Sequence, residues 1–143
     1  MVAKNKYTRW LQWPRPRWFG AVTLFAVLFG LLTIKEGGSV LFVDGEARQA
    51  AGNYVPLVLW FNFLAGFAYV SAGAGLWSRQ PWAVWLAAII AVATALVFAA
   101  LGVHIYSGEA YEPRTVVAMI VRTLLWAAIA TLSWHRLMRR EDH

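Results

Sequence analysis

Arg122 is the residue whose type and place point most directly to chemistry. It sits seven residues after Thr115 in a run that carries no other charge, about 10 Å along a straight helix from the nearer end of that run. A guanidinium stays ionised at any physiological pH, and holding it at that depth in hydrocarbon costs on the order of 2.5–3.5 kcal/mol. Such a charge needs partners, and the sequence supplies several at comparable depth. Glu36 and His104 close two neighbouring apolar runs, Glu109 and Glu112 lie in the loop before Arg122's own run, and Asn62 stands five residues into another. Tyr69 follows Asn62 on the same helical stripe, and Trp126, four residues after Arg122, is spaced for a same-face cation–π contact. The expected arrangement is a polar cluster in the outer leaflet, with Arg122 held by Glu36 or an outer-loop carboxylate and hydrogen-bonded by Asn62. Two roles are open for it: a buried ion pair that fixes helix register, or an anion or polar-headgroup site that opens outward.

Other chemistries find less support. The chain has no cysteine, which removes disulfides, thiolate metal sites and thiol relays together. His104 suggests metal or haem, but a membrane b-type haem takes two axial histidines at matched depth. His135 belongs to the opposite interface and His143 to the tail. His104 with Glu109 and Glu112 matches no standard ligand spacing, and no phosphate-binding loop, nucleophile elbow or zinc-protease motif occurs. No catalytic residue, metal or cofactor is assigned.

The elements that must position these groups are membrane helices. Of 143 residues, 60% are hydrophobic and 14% charged, against an apolar share of roughly 45–50% in soluble domains. Four uncharged or nearly uncharged runs stand out: residues 18–34, 57–77, 82–103 and 115–134. Each approaches the ~20 residues a spanning helix needs, and in lipid a backbone that must satisfy its own hydrogen bonds is helical. A secretory signal peptide competes for the first run, but its apolar stretch is long and no small-residue cleavage site follows. The fold predicted is an all-α integral membrane protein, one domain over 1–143, built as an antiparallel bundle of four transmembrane helices.

Lysine and arginine placement orients it. Lys4, Lys6, Arg9, Arg15, Arg17, Arg79, Arg136, Arg139 and Arg140 fall on one side, nine against Lys35, Arg48 and Arg114 on the other. The positive-inside rule then puts both termini in the cytoplasm, with outer loops at 35–56 and 104–114 and a cytoplasmic tail at 135–143. Trp10, Trp13, Trp18, Trp77, Trp82, Trp85 and Trp134 gather at the inner interface, and Tyr54, Tyr106 and Tyr111 at the outer one. The net charge of +6 lies beside hydrophobic spans, which points to anionic lipid headgroups rather than nucleic acid. Residues 1–17 read as an interfacial segment, either a topology determinant or a site for anionic lipid.

Helices in lipid associate through small residues and polar pairs. The first span aligns Thr23, Ala26, Gly30 and Thr33, with Glu36 continuing that face. The second aligns Asn62, Gly66, Tyr69 and Gly73, with Ser71 and Gly75 as a further small pair. The third carries Ala83, Ala87, Ala91, Ala95 and Ala99 at a spacing of four. These stripes are expected to face inward. In the first outer loop, Asp44 is placed to cap a short helix through Ala51 that Gly52 would end, and residues 40–43 are apolar enough to lie on the membrane or dip into the bundle mouth. The loop reads as a lid or a plug.

Three segments, LFGLLTIKEGG, FLAGFAYVSAGAGLW and SRQPWAVWLAAIIAVATALVF, resemble the DoxX-like group of small four-helix bacterial membrane proteins over about two thirds of the chain. That resemblance implies a bacterial inner membrane and, from the group's subunits linked to sulfur oxidation and quinone reduction, a redox association. No catalytic residue carries over position by position, and Arg122 and the long outer loop depart from the group. Three functions stay open: a non-enzymatic accessory or binding protein that holds a partner or small polar ligand at the outward cluster, a small anion or solute transporter acting as an oligomer, and a DoxX-like subunit of a quinone-linked redox complex. A membrane protein partner or a second copy of the chain is the expected associate.

Overall fold

The computed structural model describes residues 17–43 and 45–137. The basic, tryptophan-containing segment at 1–16, Asp44 and the basic tail beyond 137 lie outside the described residues. Five helices follow one another: α1 Arg17–Phe42, α2 Glu46–Ala51, α3 Pro56–Trp77, α4 Pro81–Tyr106 and α5 Pro113–Leu137. Proline opens α3, α4 and α5, at the position where its missing N–H costs nothing. All but α2 are long and apolar enough to cross a membrane, the mark of a multi-pass membrane protein.

The long helices pack in the order α1, α3, α4, α5. α3 and α4 form a tight hairpin. Gln80 N–H bonds the Gly75 carbonyl (2.8 Å) and Arg79 N–H the Leu76 carbonyl (3.1 Å), a Schellman closure with Arg79 at φ 58°. The described residues begin and end at one end of the molecule, where the Arg136 guanidinium lies 4.8 Å over the Trp18 ring. We call this the terminal end and the opposite one the loop end.

α1 and α3 make the closest approach, and glycine permits it. A Cβ on Gly30 would lie 2.8 Å from the Gly66 carbonyl oxygen and one on Gly66 2.6 Å from Ile34 Cγ1, so the two backbones touch where no side chain fits. The α1 face is Thr23, Ala26, Gly30, Thr33 and Gly37, all buried. Gly37, not Glu36, continues it, because steps of three and four residues alternate along one face of a 3.6-residue helix. Glu36 is exposed. The Gly37–Gly38 pair does not end the helix either. Packing against Phe63 (3.1 Å from a Gly37 Cβ) carries α1 on to Phe42, whose ring meets Trp60 and Phe63 edge-on. Residues 40–42 therefore extend α1 rather than forming a separate apolar loop.

The alanine ridge of α4 is only partly inward. Ala83 and Ala87 are buried, Ala91 is half-buried, and Ala95 and Ala99 are exposed. A spacing of four advances 400° per step, so the ridge rotates about 40° each time and drifts off the core. The buried stripe is instead Ala83, Ala87, Ile90, Thr94 and Leu101. Ser71 likewise faces outward and bonds its own helix at Phe67 O (2.9 Å), whereas Gly75 is buried against Ala83 and Trp82.

Candidate functional site

The buried apolar residues form two clusters. The one toward the terminal end includes Ala65, Tyr69, Leu76, Val84, Ile90, Trp126 and Ile129. The one toward the loop end is Val55, Val58, Leu101 and Met119. On each helix the gap between them is occupied by a polar residue: Asn62 between Val58 and Ala65 on α3, Thr94 between Ile90 and Leu101 on α4, Arg122 between Met119 and Trp126 on α5. Asn62 lies about four turns from Trp77 and Arg122 about four turns from Leu137, which places them at one level. A polar layer therefore crosses the core.

Arg122 is half-buried in this layer. Its guanidinium lies 5.5 Å over the ring of Phe29 on α1, not over Trp126. A helical side chain leans toward its own helix's N-terminus, which carries Arg122 away from the residue four positions on. Trp126 instead stacks on Tyr69 (centroids 4.8 Å apart), and Tyr69 stacks on Phe29 (5.8 Å). The Tyr69 hydroxyl and Glu36 are the groups electrostatically closest to the guanidinium, but among the described residues Arg122 makes no ion pair. Asn62 does not hydrogen-bond it.

The layer and the rings that border it leave four polar atoms without partners. Asn62 Oδ1, Tyr69 OH, Arg122 Nε and Trp126 Nε1 are each buried without a hydrogen-bond partner. The Tyr69 hydroxyl has Thr94 as a neighbour; the Thr94 hydroxyl donates to Ile90 O at 2.7 Å and still has lone pairs to accept with, but the pair does not meet hydrogen-bond geometry. Each such orphan costs on the order of 1–3 kcal/mol. The cation–π contact with Phe29 returns about 2 kcal/mol or somewhat more when desolvated, against about 4–12 kcal/mol for four orphans.

The other residues expected in the cluster serve the loop end. His104 Nε2 meets the Ala110 carbonyl at 3.0 Å, and Glu109 is exposed. The Glu112 carboxylate accepts from Asn53 N–H at 2.8 Å and fills the space beside Gly52, which sits at φ 62° with no Cβ to collide with it. The Arg114 guanidinium donates to Ala50 O at 2.6 Å, and Arg48 donates to Val40 O and Leu41 O, both at 3.1 Å. These bonds tie α2 to the end of α1 on one side and to the start of α5 on the other. Gly45 stands at the α2 N-cap and Gly52 at its C-cap.

Beneath this strap is a pocket of about 60 Å³ lined by Tyr54, Val55, Val58, Leu59, Asn62 and Thr115. Asn62 is thus at once a member of the polar layer and part of the pocket wall. Among the described residues no group of three His, Asp or Glu side chains could hold a metal ion. Nothing in residue spacing marks Phe29 as the arginine's aromatic partner, since it comes from another helix. Thr94 does leave a signal, as the one polar residue in the buried α4 stripe.

Fold and site together define a small helical membrane protein with a guanidinium and several unmet hydrogen-bonding groups inside its apolar core. No protein-family model matches the chain, and neither a curated protein nor a solved structure matches it.

Proposed function

We propose that the chain is a non-enzymatic binding or accessory protein of a bacterial inner membrane, an antiparallel bundle with both termini in the cytoplasm, that holds a small acceptor-bearing ligand at the Arg122 layer. The observation that carries this reading is the set of buried polar atoms left unpaired on Asn62, Tyr69, Arg122 and Trp126. An arginine kept only to fix helix register would be satisfied by a carboxylate, since a buried charge without its partner is strongly destabilising. Here the sequence has carboxylates to spare at the loop end, and they are engaged elsewhere or exposed. Groups so placed are completed by something that arrives.

The test is purification in mild detergent followed by mass spectrometry of what remains bound. A small molecule that accompanies the wild-type protein and is lost from folded Arg122→Gln supports the reading. Retention of the same molecule by that variant would refute it. The stack of three rings, Phe29, Tyr69 and Trp126, whose Phe29 end meets the guanidinium, favours one second reading: a DoxX-like subunit lending a quinone pocket to a redox partner. Stable co-purification with a redox protein would put that reading first.

A further inference from the structure

Resting on that reading, we infer that the ligand at the polar layer is a monoanion bearing a carboxylate or a similarly small oxyanion, with Arg122 as its counter-ion. Charge is the first ground. Within the layer Asn62, Tyr69, Thr94 and Trp126 are uncharged, and Arg122 contributes +1 with no ion pair among the described residues. Glu36 acts on the guanidinium only at a distance, from an exposed position and without pairing with it, and Glu112 is committed to the Asn53 N–H. One negative charge neutralises the site, and a dianion would overshoot it.

The orphaned atoms give the second ground. Arg122 Nε, Trp126 Nε1 and Tyr69 OH are donors. The Asn62 amide can turn to present its NH2 in place of its oxygen. Trp126 and Tyr69 are both 0% exposed, so water competes poorly for them. Three donors and a cation suit an oxyanion better than an ammonium or a metal ion, although the Asn62 and Tyr69 oxygens can also accept. A charge-assisted bond of this kind is roughly twice as strong as a neutral one.

A carboxylate has two ways in. The pocket of about 60 Å³ on the loop side of Asn62 has room for about four waters at ~15 Å³ each, enough for a formate-sized ion and not for a ring. The second way is lateral. α1 and α5 meet through side chains, Arg122 on Phe29 and Arg136 on Trp18, so a fatty acid in the bilayer could bring the same group to Arg122 from the side. The shared chemistry is the carboxylate.

The full chain in nanodiscs of neutral phosphatidylcholine would be titrated at constant ionic strength with formate, nitrate and oleate. Each is paired with an uncharged counterpart: formamide for formate and nitrate, methyl oleate for oleate. Duroquinone is the neutral ring. Tryptophan fluorescence and the unfolding midpoint report binding. At least one anion is expected to bind saturably while its neutral counterpart does not, with affinity about 10- to 100-fold weaker in Arg122→Gln. Asn62→Leu removes one donor from the site and weakens every bound anion, formate most if the pocket is the aqueous entrance. The charged-versus-neutral comparison needs no variant and stands even if Arg122→Gln does not fold. Equal binding of neutral and charged probes, or a response to duroquinone alone, overturns the anion and leaves the binding site standing. Silence from every probe, with no co-purifying molecule, overturns both.

Discussion

Gly30→Ala tests the packing that holds the polar layer together. Its Cβ would sit 2.8 Å from both the Gly66 carbonyl oxygen and Val70 Cγ2, and 3.0 Å from Tyr69 Cβ, where ordinary contact begins at 3.4 Å. α1 must therefore retreat by about 3.4 − 2.8 = 0.6 Å, and the nearest obstruction is backbone, which cannot rotate away. Overpacking of this kind costs typically about 1–3 kcal/mol. Alanine in a helix returns up to about 1 kcal/mol over glycine, so the net loss is about 0–3 kcal/mol. Gly102, also helical, separates the two effects, because its Cβ would meet nothing within 4 Å. Gly102→Ala should leave stability unchanged or raise it by up to about 1 kcal/mol. The difference between the variants isolates the steric cost at about 1–3 kcal/mol. Reversible unfolding in detergent micelles measures it. Equal stability of the two variants would refute the close approach of α1 and α3.

The strap offers two further outcomes. Glu112→Ala removes the acceptor of the exposed Asn53 N–H and should raise hydrogen exchange and protease cleavage across residues 46–55, with a local loss of about 0.5–1.5 kcal/mol. Gly52→Ala should be worse, since a side chain is strained at φ 62° and meets the Glu112 carboxylate as well. Combining the two changes should cost less than their sum, and strict additivity in a double-mutant cycle would show that Gly52 and Glu112 do not touch. Reporter fusions to either terminus should mark it as cytoplasmic, following the nine-to-three excess of basic residues. Periplasmic signals from both termini would reverse the orientation, and one from a single terminus would contradict four crossings.

The long helices are legible in the sequence because length and apolarity alone define them. The α1 face was legible for the same kind of reason: Thr23, Ala26, Gly30 and Thr33 repeat at helical spacing and are buried together. Extrapolation beyond that fails in instructive ways. Glu36 looked like the next member of the α1 face, but a helix turns 100° per residue and Gly37 takes the place. The alanines of α4 keep a constant interval that a helix does not, so the ridge winds out of the core. Arg122, Asn62, Tyr69 and Trp126 could be grouped by depth, whereas which side chain meets which depends on lateral neighbours that one-dimensional spacing does not encode. Phe29 and the Glu112–Asn53 clasp join residues far apart in the chain, and no local pattern announces them.

The uneven closure of the helix seams has a mechanical consequence. α1 and α3 are locked by backbone against backbone, and α3 and α4 by a three-residue hinge, while α5 is fastened to α1 by two arginines resting on rings. Opening in a folded protein begins where contacts are fewest and most readily hydrated. Loosening the Arg122 contact would therefore expose the guanidinium at the α1–α5 seam, while the Tyr69–Trp126 stack and the Arg114–Ala50 bond still hold α5 in place.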